Sequence, residues 1–127
     1  LTFFASKALA KQYQQGFPQS LHKAPMLLPT QQHEVRQLVD RWLGDKQVYP
    51  DVRGEFDDSA LIKSFGKAGL GIFFMPSVIA DEVCHNFQVH VIGKTDEVKQ
   101  RFYAISAERK ISNPAVNAII ESAQKLF

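Results

Sequence analysis

Short apolar runs alternate with helix-patterned segments along this chain, and that alternation restricts its fold more than any other feature. Leu1 to Phe4 reads as a strand. Ser6 stands where a helix cap belongs, ahead of Leu9, Ala10 and Tyr13, and Gly16 closes that helix. Met26-Leu27-Leu28 is a second apolar run, stopped by Pro29. From Gln31 onward Val35, Leu38, Val39, Trp42 and Leu43 fall at i, i+3, i+4, i+7 and i+8, the spacing of one helix face, with Gly44 as the stop. Val52 to Phe56 is the next strand. Asp57 and Asp58 then occupy an N-cap, Leu61, Ile62, Phe65 and Ala68 form the expected buried stripe, and Gly69 ends the helix. Ile72-Phe73-Phe74-Met75 is apolar throughout, as a strand covered on both faces should be. Pro76-Ser77 opens a helix with Ile79 and Val83 inward, and Val89 to Ile92 is a further strand.

Strand–helix–strand repetition of this kind implies parallel pairing. The predicted fold is therefore α/β, an open and mostly parallel sheet with helices on both faces. Beyond Gly93 the pattern changes: Thr95 to Gln100 is polar, Arg101 to Glu108 reads as a longer strand, and Asn113-Pro114 starts a helix. Its apolar face is Val116, Ile119, Ile120, Ala123 and Phe127.

In open α/β sheets, ligands bind beyond the carboxyl ends of the strands. The strand-to-helix junctions are Pro29-Thr30-Gln31-Gln32-His33, Asp57-Asp58-Ser59 and Met75-Pro76-Ser77, and all three are expected on one edge. Thr30 is read first as the N-cap of its helix, and Asp57 and Asp58 as caps of theirs. Two carboxylates at one junction exceed what capping requires, however, and no Lys or Arg occurs in the three junctions. Free N–H groups at helix starts favour anions; an unpaired carboxylate beside them opposes an anion and favours a cation or neutral ligand.

Other chemistry is sparse. There is no G-x-S-x-G, P-loop, H-E-x-x-H or C-x-x-C pattern. Gly69-Leu70-Gly71 follows a helix and precedes a strand, the reverse of a dinucleotide fingerprint. Cys84 and His85 are sequence neighbours, so they diverge on a helix, and Cys84 reads as a small packed hydrophobe. His90, alternating with Val89 and Val91, should point off the core; only His33 lies at a candidate site. No cofactor is expected, and no sequence motif by itself marks an ion site. The single cysteine allows no internal disulfide, and no apolar run reaches the roughly 18 residues of a membrane span. A net charge of +2 with interleaved signs is too small to imply nucleic-acid binding. In the C-terminal part, Lys94, Lys99, Arg101, Arg109 and Lys110 are broken up by Asp96, Glu97 and Glu108, as on a solvated face.

The order of these pieces resembles the effector-binding region of LysR-type regulators. The resemblance is carried by Glu55-Phe-Asp-Asp-Ser-Ala-Leu-Ile-Lys-Ser-Phe-Gly-Lys-Ala-Gly-Leu-Gly-Ile-Phe-Phe-Met-Pro76, by Met26-Leu-Leu-Pro-Thr30, and by Phe102-Tyr-Ala-Ile-Ser106 with Asn113-Pro-Ala-Val116. More narrowly, Leu21 to Thr30, Gly54 to Leu61, Pro76 to Cys84 and Gly93 to Val98 look like the branch that activates sodium/proton antiporter genes. The resemblance implies a periplasmic-binding-protein-like effector lobe in a cytoplasmic regulator. Residues 1–97 would be the second lobe, and residues 98–127 a strand and helix returning to a first lobe that is mostly absent. The chain starts without methionine or a signal-peptide pattern and is expected to be cut from a longer protein.

The resemblance also implies effector contact by Pro29, Thr30 and Gln31, to which the junction argument adds Asp57, Asp58, Ser59 and Ser77. Expected partners are a small effector or a monovalent cation, and DNA only through an absent N-terminal helix-turn-helix. No membrane contact is expected. A homo-oligomer is, because the Val116–Phe127 stripe would lack its usual cover. The branch implies a response to sodium, lithium or alkaline pH. Catalysis is not expected. A free solute-binding protein shares the two-lobe fold and is the alternative.

Overall fold

The computed structural model describes residues 1–98. The strand foreseen at Arg101–Glu108, the helix from Asn113 and the apolar stripe to Phe127 lie outside the described residues. Among the described residues five strands and four α-helices alternate: β1 (Thr2–Ala5), α1 (Lys7–Tyr13), β2 (Pro25–Pro29), α2 (Glu34–Asp45), β3 (Asp51–Phe56), α3 (Ser59–Lys67), β4 (Phe73–Met75), α4 (Ala80–Phe87) and β5 (His90–Lys94).

β2 and β3 pair in parallel, and a parallel bridge between Met26 and Ile72 connects β2 to the start of β4. The expectation of parallel pairing fails at β1, which runs antiparallel to both β4 and β5. Residues 14–24 explain the difference. This stretch lets the chain return after α1 to the edge it has just left, so β2 begins at the edge where β1 ends, with β4 between them. The connections after β2 are the strand-to-strand crossovers that return the chain to a common direction.

Two ladders each skip a residue. Met26 pairs with Val52 but Leu27 with Gly54, which leaves Arg53 extra in β3. Phe3 pairs with Gly93 but Phe4 with Val91, which leaves Ile92 extra in β5.

Alternation along the strands feeds two apolar clusters, one on each face of the sheet. Phe3, Met26, Leu28, Ile72, Phe74 and Ile92 join Val35, Val39, Trp42 and Leu43 of α2. Phe4, Leu27, Phe73 and Met75 join Ile62 of α3 and Val83 of α4 on the other face. Helices therefore cover both faces, as the continuous apolar runs of β1 and β4 require.

The buried face of α3 differs from the expected one. Leu61 and Phe65 are 48% and 38% exposed, and the buried positions are Ser59, Ile62 and Gly66. Gly66 decides the rotation. A Cβ there would stand 2.3 Å from the ring of Phe73, which is fully buried. The helix thus presents its bare backbone to that ring. Glycine to alanine inside a helix ordinarily stabilises by about 1 kcal/mol. Here Gly66→Ala is expected to destabilise by about 1–3 kcal/mol through overpacking. A rise in the urea midpoint would refute this packing.

The remaining departures are at helix ends. α2 continues through Gly44 to Asp45; α1 ends at Tyr13, short of Gly16, and Ser6 makes no side-chain cap bond. His90 is exposed, as expected. No helix among the described residues is long and apolar enough to cross a membrane.

Candidate functional site

The carboxyl ends of β2, β3 and β4 share one edge of the sheet, because Pro29 pairs with Phe56 and the Met26–Ile72 bridge is parallel. Thr30 and Asp57 follow the ends of β2 and β3 directly, and Ser77 follows β4 after Pro76. Thr2, on β1, pairs with Met75 at the same edge.

Asp57 is the centre of the best-formed group. Its Oδ1 accepts the Thr30 hydroxyl at 2.5 Å and the Gln32 side-chain amide at 2.9 Å. His33 Nε2 lies 3.5 Å from the same oxygen. The hydrogen bonds from Thr30 and Gln32, helped by His33, hold the Asp57 carboxyl below its ordinary range. Its side chain is nonetheless 68% exposed, so the charge faces water.

These contacts correct two expectations. Thr30 does not cap α2; that helix starts at Glu34 behind His33, which makes no side-chain cap bond. The Thr30 hydroxyl goes across to Asp57 instead, and its N–H goes to the Phe56 carbonyl at 3.1 Å. Nor are the two carboxylates unpaired. Asp58 does cap α3, accepting the Ala60 N–H at 2.8 Å, while Asp57 gathers the 30–33 turn. Both roles are filled at once because adjacent residues in extended backbone point opposite ways.

The other expected residues divide between exposed and buried positions. Gln31 is exposed, and its carbonyl accepts the Gln37 side-chain amide at 3.0 Å. Pro29 and Ser59 are buried. Ser77 opens a short 3-10 turn (Ser77–Ile79) ahead of α4, behind Pro76 as N-cap. Its hydroxyl lies 2.7 Å from that of Thr2, which is fully buried. The site residues thus form two polar groups along one edge, one around Asp57 and one at Ser77 with Thr2.

Arg36 was invisible to sequence reasoning and is the main structural residue behind the site. It is only 5% exposed. Its Nη1 donates to the Pro29 carbonyl at 2.8 Å and to Glu55 at 2.7 Å, while Nε reaches both Asp40 oxygens at 3.0 Å. Burial works against its charge, but the bonds to Glu55 and Asp40 outweigh that and raise its pKa. The Asp40 pairing at i+4 was the one local signal that could have exposed it. Thr2 carried no such signal, since its partner lies 75 positions away. Among the described residues no three His, Cys, Asp or Glu side chains stand together as a metal cage.

A strand edge with a polar turn at each strand exit, on a sheet covered on both faces, is the architecture of a ligand-binding α/β lobe. The whole chain, residues 1–127, matches the LysR substrate binding domain family, and it belongs to that family. It is 33% identical over 103 residues to the transcriptional activator protein NhaR of Escherichia coli (strain K12), covering 81% of this chain and 34% of that protein. The NhaR of Shigella flexneri matches over the same length at the same 33% identity. The chain thus spans about a third of the length of these relatives.

Proposed function

We propose that this chain is the second effector lobe of a LysR-type transcriptional activator, with no catalytic role, acting in the cytoplasm. The complete regulator would contact DNA through a helix-turn-helix in another domain, and a first lobe would supply the facing half of the cleft. The effector we propose is sodium or lithium, met at the Pro29–Gln31, Asp57–Ser59 and Ser77 edge. The branch likeness adds alkaline pH as a second stimulus, and the apolar stripe from Val116 to Phe127 in the sequence supports a homo-oligomer.

The observation that carries the choice of ligand is the ionised, water-facing Asp57 carboxylate at the strand exits. No Lys or Arg side chain offsets it within the junctions, and Arg36 is already held by Glu55, Asp40 and Pro29. An anion would have to lie against that carboxylate, whereas a cation or neutral group would not. Oδ1 is taken by the turn, so an incoming cation would meet Oδ2.

The pH dependence has a definite sign. Because the native pKa of Asp57 is lowered, its contribution is complete above the ordinary aspartate pKa of about 3.9. It is lost only as pH falls through the lowered native value. Asp57 therefore stays charged at neutral and alkaline pH. An alkaline response would have to come from another group.

The test is thermal unfolding of the complete regulator in sodium or lithium chloride against equimolar potassium chloride. A ligand at ten times its Kd stabilises by about 1.4 kcal/mol. The sodium increment is expected in the parent and should disappear in Asp57→Asn, with promoter binding retained. An equal increment in the variant would show that Asp57 only organises the turn.

A further inference from the structure

We infer that Glu97 is a latch which ties residues 95–98, just after β5, to the far end of α2, so that these residues and the 30–33 turn open as one unit. After β5, Leu1 and Thr95 exchange backbone hydrogen bonds of 2.9 Å each way. The chain then folds back over α2. The Thr95 hydroxyl accepts the Glu97 N–H at 3.1 Å, and Val98 is buried in the same cluster as Val39, Trp42 and Leu43.

Glu97 closes this strap. Its Oε2 accepts the Trp42 indole N–H at 3.1 Å and lies 3.2 Å from Lys46 Nζ. Lys46 also stands 5.7 Å over the Trp42 ring. The Glu97 side chain is 63% exposed, so the ion pair by itself contributes little. The indole bond matters more: Trp42 is 7% exposed, and a buried indole N–H needs an acceptor.

At its other end α2 grips the turn. Arg36 and Gln37 N–H groups donate to the His33 carbonyl at 3.1 and 3.3 Å, and the His33 N–H donates to the Thr30 carbonyl at 3.1 Å. A helix of 12 residues is a rod of about 18 Å. Its buried face, Val35, Val39, Trp42 and Leu43, belongs to the same apolar cluster as Val98 of the strap. Loosening either end costs contacts along the same rod, so the two ends are coupled, and coupling of this kind is reciprocal. The latch stands whatever ligand the edge binds, and its test uses none.

Amide hydrogen exchange on this chain decides it. Glu97→Ala is expected to speed exchange at Glu97 about fivefold to tenfold, the effect of losing one hydrogen bond of ordinary net strength to a largely exposed acceptor. The Arg36 and His33 amides should speed up with it, while Ile62 and Ala68 of the α3 region keep their rates. Asp57→Asn, which loosens the other end, should speed exchange at His33 and at Glu97 together. Glu97→Gln keeps an acceptor for Trp42 but loses the ion pair, so it should give the same pattern with a smaller factor. Acceleration confined to the mutated end in either direction would overturn the inference. So would equal acceleration at Ile62 and Ala68, which would mean general destabilisation.

Discussion

Phe3→Ala is expected to lower stability by about 3–5 kcal/mol, the range for truncating a fully buried phenylalanine. Phe3 is fully buried on β1, the strand that holds β4 and β5 together. Its ring lies 5.3 Å from Phe17, 5.8 Å from Trp42 and 5.6 Å from Phe74. These neighbours come from separate parts of the chain and are themselves tightly placed. The hole left by alanine cannot be filled by one small shift, so the cavity cost adds to the lost transfer energy. Phe3→Leu keeps most of the volume and should cost less than about 1.5 kcal/mol. Urea unfolding of the two variants measures both. A loss for Phe3→Ala no greater than for Phe3→Leu would mean that the aromatic cluster collapses freely, contrary to its packing.

Arg36→Ala is the second large effect, expected at about 2–3 kcal/mol. Removing one partner of a buried ion pair typically costs 3–5 kcal/mol. Here Asp40 and Glu55 are 45% and 46% exposed, so water can take up their charges and the loss falls below that range. What water cannot easily reach is the Pro29 carbonyl, whose bond to Arg36 Nη1 is buried. For a chain of 127 residues this corresponds to roughly 7–11 °C in Tm. Arg36→Lys keeps the charge without the fork and cannot serve three partners at once. It should recover less than half of the loss. Full recovery by lysine would show that charge alone, and not the guanidinium geometry, holds the end of β2.

These two residues also mark where the sequence was legible. Phe3 belongs to an apolar run, and burial of apolar runs is a local signal; so are the helix spacing of α2 and the Asp58 cap. The order of elements and the coverage of both faces followed from such patterns. The direction of β1 did not, because it depends on how residues 14–24 return the chain. The buried face of α3 did not either. There an absent side chain at Gly66 outweighs Leu61 and Phe65, and periodicity counts only the side chains that are present. At the candidate site, Asp57, Thr30 and His33 were all named as junction residues, but the bonds that join the two junctions were not foreseen. Thr30 and Gln32 stand 27 and 25 positions before it, and a polar residue after a strand looks the same whether it caps its own helix or crosses to another junction. Arg36 sits on a helix face otherwise made of Val35, Val39, Trp42 and Leu43, where a lone cation reads as an interruption until Pro29 and Glu55 are seen beside it.

The two extra residues in the ladders differ in what the chain could do without. In β3 the surplus residue is Arg53, which is exposed and paired only with Asp51. Were it deleted, Val52 would still meet Met26, and Gly54, Glu55 and Phe56 would still meet Leu27, Leu28 and Pro29. Glu55 would keep facing Arg36. In β5 the surplus residue is Ile92, 4% exposed and part of the core, so shortening that strand removes a packed side chain along with the irregularity. A deletion at any regular position of either strand would carry the residues beyond it to the opposite face. Position 53 is therefore the place within this sheet where the length of the chain can drift by one residue while the arrangement around Arg36 and Asp57 is inherited unchanged.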